Sequence, residues 1–235
     1  MTMTDLNPLA LPEWAVPTVP RRQAVEEHRI RIRAEWWRAE LDRRCLPGDR
    51  PAGPSLTRAD VWAPADDVFT LLWRTLAWGS GSHLRQNARR LDSIAADIPA
   101  AEAVLAEAAE ASRQDPASAF ELLRPGERNR FLAFGPSFFT KFLYFAGGGA
   151  PDHPCLILDR VVATALRDRC GWESLHRTGP WPAVTYERYC ALLGRWARTG
   201  GHAPDELEVT LFTSGYRAAS STSRTPPPAT PKSPA

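Results

Sequence analysis

A chain of 235 residues, 43% hydrophobic and 24% charged, has the composition of a globular protein, with length enough for one domain or two small lobes around a substantial core. Its net charge of +2 is too small to identify a polyanion partner, so the placement of the charges has to carry that question. No apolar run reaches the roughly 18 residues that a membrane span needs, and the polar, proline-rich start lacks the apolar core of a signal segment, so a cytoplasmic protein is expected.

Residues 1–20 hold Pro8, Pro12, Pro17 and Pro20 without periodicity and read as an extended arm. Residues 21–44 read as one helix rich in Arg and Glu, with Ile30, Trp36, Trp37 and Leu41 as a partial apolar face. A loop follows at 47–54. Residues 66–78 form a strong helical pattern, with acids in the first turn and Val68, Leu71, Leu72, Leu76 and Trp78 facing a core. It ends at Gly79-Ser80-Gly81-Ser82, where a glycine cap is the simplest reading. The stretch 74–90 carries Arg74, Arg85, Arg89 and Arg90 and no acid, which suits phosphate contacts or a solvated face. Residues 91–124 read as two or three Ala-rich helices, broken at Pro99 and near Asp115-Pro116, before a turn at Pro125-Gly126.

The segment 134–166 organises the chain. It reads as a helix, a Gly/Pro loop, the short apolar run Leu156-Ile157-Leu158 and a second helix. Lys141 lies in the first helix at the edge of a stripe formed by Phe138, Phe142 and Phe145. Of 29 Lys and Arg residues only Lys141 and Lys232 are lysines, so arginine does every other basic job in the expected folded body. A lysine can become a nucleophile where arginine cannot; a snorkelling side chain that covers apolar surface is the plainer alternative. Asp159 precedes Val161, Val162, Ala165 and Leu166 and reads as an N-cap. Such a carboxylate also serves as a fixed anion at a helix start. Together the two residues could form and stabilise a cationic sugar intermediate.

Beyond them, 171–182 is a loop with Trp172 and Trp181, and 185–199 is a helix with Tyr186, Tyr189, Leu192, Leu193 and Trp196 at core spacing. A last helix is expected at 205–216, with Leu207, Leu211 and Phe212 inward, and 218–235 is a Ser/Thr/Pro-rich tail expected to be disordered. No strand-like alternation of useful length, repeat or phosphate-binding loop appears. The cysteines at 45, 155, 170 and 190 fit neither a zinc nor an iron–sulfur spacing and read as reduced, mostly buried thiols. The five histidines are scattered and none is singled out.

The wording GPSFFTKFLYFAG with LILDRVVATAL resembles the helix-hairpin-helix DNA glycosylase superfamily, and within it the bacterial and archaeal 8-oxoguanine glycosylases. The separation 159 − 141 = 18 residues is similar to that of the endonuclease III branch. The common hairpin has glycines four and two residues before its lysine; here Ser137 and Phe139 stand there, and Gly135-Pro136 marks the turn. The resemblance implies an all-α, two-lobed fold with a helix-hairpin-helix-like unit at the cleft. It implies Lys141 as nucleophile and Asp159 as its anion, with no cofactor or metal. Trp78, Gly79 and Ser80 would line the base pocket, with Asp205, Glu208 and Phe212 reaching it from the last helix. Arg74, Arg85, Arg89, Arg90 and Gly135 would hold phosphate. The implied partner is double-stranded DNA with a damaged base, 8-oxoguanine first, met by a monomer associated with the nucleoid. Another modified base, or a helical DNA-binding module without catalysis, are the alternatives.

Overall fold

The computed structural model describes residues 9–222. The first eight residues of the expected arm and most of the expected tail therefore lie outside the described residues. The fold is all-α apart from one small sheet. Residues 9–20 contain a single 3-10 turn at Glu13–Ala15, with Ala15 buried.

The single helix expected over 21–44 does not form. The segment splits into a π-helical turn at Arg22–Glu26, a strand β1 at Arg29–Arg31 and a helix α1 at Ala34–Arg43. β1 pairs antiparallel with β2, Ser55–Thr57, with Ile30 opposite Leu56. The ladder satisfies backbone groups that helix would otherwise have paired, and it frees Trp37 and Leu41 of α1 to enter the core. Thr57 then caps α2, Arg58–Trp62, in a capping box with Asp60.

α3, Val68–Ser80, starts on Asp67, whose side chain accepts from the Thr70 N–H at 2.8 Å. It extends two residues past the expected end and stops at Gly81, whose φ of 58° with ψ of −129° is a backbone conformation that L side chains rarely adopt. The Ala-rich region forms three helices, α4 at Asn87–Ala95, α5 at Ile98–Ala111 and α6 at Pro116–Leu123. Pro99 and Pro116 sit in first turns, where a missing N–H costs nothing, and Asp97 and Asp115 cap them. The central unit follows as α7, Pro136–Phe145, and α8, Arg160–Cys170, then α9, Ala183–Gly200, and α10, Pro204–Thr222. α10 takes in residues 218–222, the start of the expected tail.

The helices pack most extensively as α5 on α6, α8 on α10, α6 on α9 and α3 on α7, so that the helices before α6 and those after it are joined through α5 with α6 and α3 with α7. A single hydrophobic cluster runs through both, from Trp37 and Trp73 to Tyr189 and Leu211. Each fully buried large apolar side chain in it contributes roughly 1.5–3 kcal/mol. Among the described residues no helix is long and apolar enough to cross a membrane.

Candidate active site

The apolar run before α8 is extended yet pairs with no strand. Its polar groups are met by side chains instead. The Tyr189 hydroxyl donates to the Ile157 carbonyl at 2.7 Å, and the Tyr186 hydroxyl to the Leu156 carbonyl at 2.9 Å. From α7, the Thr140 hydroxyl accepts the Leu158 N–H at 3.2 Å and donates to the Pro136 carbonyl at 2.8 Å. Thr140 is thus fastened to Leu158, and the next residue on each side is Lys141 and Asp159. The fastening brings the two together: Lys141 Nζ stands 3.5 Å from Asp159 Oδ2.

Both groups are held from behind. Lys141 Nζ donates to the Ser137 carbonyl at 2.7 Å, one turn back along α7. Asp159 Oδ1 accepts the Val161 and Val162 N–H groups at 2.9 and 3.1 Å as the N-cap of α8, leaving Oδ2 for the amine. Lys141 is only 8% exposed. Its stem fits because α3 presents Gly79 to it: a Cβ there would lie 3.0 Å from Lys141 Cδ and 3.5 Å from the Phe138 ring. A side chain at that helix position would push the lysine stem aside by a few tenths of an ångström.

The amine and carboxylate open into a cavity of about 260 Å³. Trp78, Gly79 and Ser80 line it from α3, and Glu208 and Phe212 from α10. His28, Ile30 and Arg58 complete it from the edge of the small sheet and the start of α2. Its walls are aromatic, with His28 edge-on to Trp78 at 5.3 Å between ring centres and 5.9 Å from Phe212. Its floor is ionic. Arg58 Nη1 donates to Glu208 Oε2 at 2.7 Å, both side chains are 1% exposed, and the guanidinium lies 5.3 Å from the Trp78 ring and 5.2 Å from that of Tyr144. Burial holds the Glu208 carboxyl above its usual range against the pull of Arg58. Burial, with the Arg58 charge second, lowers His28 to about 4. An aromatic slot with a few fixed polar groups at one end suits a flat heterocycle, and the amine at its mouth suits attack on the carbon that carries it.

Of the other residues selected from the sequence, Asp205 is buried but outside the cavity. It takes a bidentate pair of bonds from Arg21, at 3.1 and 2.7 Å, and the Tyr144 hydroxyl at 2.9 Å, which ties the N-terminal segment to α10. Arg85 and Arg89 are exposed on α4 and its approach. Arg90 is buried, donates to the Ala133 carbonyl at 2.7 Å and to Asn87, and covers the Phe138 ring at 3.6 Å. Burial without a carboxylate lowers Arg90 to about 10. Arg74 turns away, donating to the Ala63 carbonyl at 2.9 Å beside Asp49 and Asp60. Gly135 is the N-cap of α7 in extended conformation, and its carbonyl accepts the Phe138 N–H at 2.8 Å. His28, Arg58 and Thr140 carried no motif or periodicity; only their three-dimensional partners mark them. Among the described residues no group of three or more His, Cys, Asp or Glu side chains could hold a metal ion.

A family model described as "Putative 8-oxoguanine DNA glycosylase OGG-like protein" matches residues 23–212 of the chain. No curated protein and no solved structure matches it.

Proposed function

The chain belongs to the OGG-like family of DNA glycosylases, and from that premise we propose that it excises a damaged base, 8-oxoguanine first, from double-stranded DNA through an imine formed by Lys141. The observation that carries this reading is the Lys141 amine 3.5 Å from the Asp159 carboxylate at a cavity walled by Trp78 and Phe212.

The target nucleotide leaves the helical stack at a cost of a few kcal/mol. Its base enters against the Trp78 and Phe212 rings, where offset or edge contacts stabilise a planar heterocycle. Lys141 Nζ attacks C1′, the bond from C1′ to the base nitrogen breaks, and the base departs with the bonding pair and gains a proton. Asp159 Oδ2 orients or takes the proton shed by the amine and balances the positive charge on the sugar, its other oxygen fixed by the α8 backbone. Opening of the sugar ring gives the imine. Loss of a 2′ proton then expels the 3′ phosphate, which is a lyase step. This route uses side chains alone, without cofactor or metal, and a monomer working at the nucleoid in the cytoplasm is sufficient for it.

The test is borohydride reduction of the protein mixed with duplexes that each carry one different lesion. A covalent protein–DNA adduct is expected on the 8-oxoguanine duplex, and Lys141→Gln, which cannot form an imine, loses both adduct and excision while still binding DNA. An adduct on a different lesion alone would move the substrate. No adduct on any lesion from wild-type protein that binds the duplexes would overturn the reading.

A further inference from the structure

The segment before β1 is fastened at successive points before it reaches the cavity at His28. The Leu9 carbonyl accepts from Arg195 Nη2 at 2.9 Å and from Trp196 Nε1 at 2.8 Å, both on α9. The Arg169 guanidinium of α8 covers the Trp14 ring at 3.6 Å, and Ala15 is fully buried. The last fastening is Arg21. Its Nε and Nη2 fork onto Asp205 Oδ1 and Oδ2 at 3.1 and 2.7 Å, Nη2 also donates to the Gly149 carbonyl at 2.9 Å, and Nη1 donates to Glu26 Oε1 at 3.1 Å. Arg21 stands two residues before the stretch that the family model matches, so membership of the family says nothing about it. What it holds matters to the site. Asp205 is 2% exposed in the first turn of α10; Glu208 stands one turn further on and Phe212 one turn beyond that, and both line the cavity. Tyr144, about one turn past Lys141 on α7, donates to the same Asp205 Oδ2 at 2.9 Å. Gly149 belongs to the loop between α7 and α8. One guanidinium therefore joins the start of α10 to the loop that links the helix of Lys141 to the helix of Asp159.

We propose that Arg21 is a positioning residue for base excision: its fork on Asp205 sets where α10 presents Glu208 and Phe212 to the flipped base. This rests on the glycosylase reading above and adds to it a residue that lies outside the cavity. A bidentate fork fixes direction as well as distance, which a point charge does not. The Lys141–Asp159 pair does not depend on that fork, because the Thr140 hydroxyl fastens α7 to Leu158 directly. Loss of Arg21 therefore separates two parts of the reaction. The amine keeps its place beside the sugar, while the α10 wall shifts against the base, and a misplacement of about 1 Å can cost roughly 100-fold in rate.

The experiment uses the full chain and compares single-turnover excision of 8-oxoguanine with borohydride trapping on an abasic duplex, which offers the sugar but no base. Arg21→Met keeps an apolar stem and removes the fork. Its ratio of excision to abasic trapping is expected to fall about 10- to 100-fold. The same change leaves Asp205 buried without its cation, which destabilises the fold, so the double variant Arg21→Met with Asp205→Asn is measured beside it. Asn removes the uncompensated charge, and the melting temperature should recover toward that of the wild type. The ratio should stay low, because no fork is restored. An unchanged ratio in folded Arg21→Met, or a ratio that recovers together with the melting temperature in the double variant, overturns the proposal and leaves Arg21 a purely structural residue. If the wild type excises no base and traps no sugar, the glycosylase reading fails and this proposal with it, an outcome visible before any variant is made.

Discussion

Asp159 performs two tasks with two oxygens. Oδ1 closes the first turn of α8, and Oδ2 faces Lys141 Nζ at 3.5 Å. Asn fills an N-cap about as well as Asp, so Asp159→Asn should unfold within about 1 kcal/mol of wild type. In the proposed reaction the same change removes the anion beside the developing sugar cation, and loss of one preorganised electrostatic group commonly costs about 100- to 1000-fold in rate. Chemical denaturation and single-turnover excision, measured on the same preparation, separate the two tasks. Equal activity in the variant would mean that Asp159 is a cap and nothing more. Both residues were legible in the sequence, Lys141 because lysine is so scarce and Asp159 because it precedes a helical pattern. That they meet was not: the contact depends on Thr140 reaching Leu158, a hydrogen bond across 18 residues that leaves no periodic trace. The same holds for Arg58 and Glu208, paired across 150 residues.

At the scale of elements, long amphipathic helices were readable and short ones were not. α9 follows its apolar spacing closely and α8 nearly so, whereas α3 buries Phe69 and Trp73 and leaves the expected Val68 and Leu71 half-buried, and α7 is buried all round from Phe139 to Phe145 with Phe138 of the expected stripe half-buried. Residues 21–44 misled because three-residue strands are too short for alternation to register, while the surrounding Arg and Glu favour helix on propensity. Pairing with 55–57 overrode that preference and created the cavity edge where His28 and Ile30 sit. Within α3, Gly79 carries a separate lesson. Ala is the better helix former by about 1 kcal/mol, so Gly79→Ala should leave the melting temperature unchanged or raised. Its Cβ would crowd Lys141 Cδ from 3.0 Å, and a displacement of the amine by a fraction of an ångström is expected to slow excision by about tenfold or more. Calorimetry alongside single-turnover kinetics tests this; a variant as fast as wild type would show that the lysine stem yields freely.

For the whole molecule, a net charge of +2 conceals an uneven surface. Many arginines are matched locally, as in Arg38 with Glu35, Arg43 with Glu40 and Arg177 with Asp168. Arg85, Arg89, Arg128 and Arg130 are exposed around the approach to α7, where Ser93 of α4 holds the Leu132 N–H and Arg90 holds Ala133. If these four meet phosphate, duplex affinity should fall roughly 100-fold between about 50 and 200 mM salt. Titration by fluorescence anisotropy measures the slope, and a flat response would remove this face from DNA contact. The scarcity of lysine has a consequence of another kind. An abasic sugar in its open form is an aldehyde, and any amine close to it competes to condense with it. Guanidinium groups bind phosphate firmly yet do not form that imine. Where these arginines meet DNA, they would grip the backbone without offering decoy nucleophiles, and residues 9–222 hold one side-chain amine for such an aldehyde, that of Lys141.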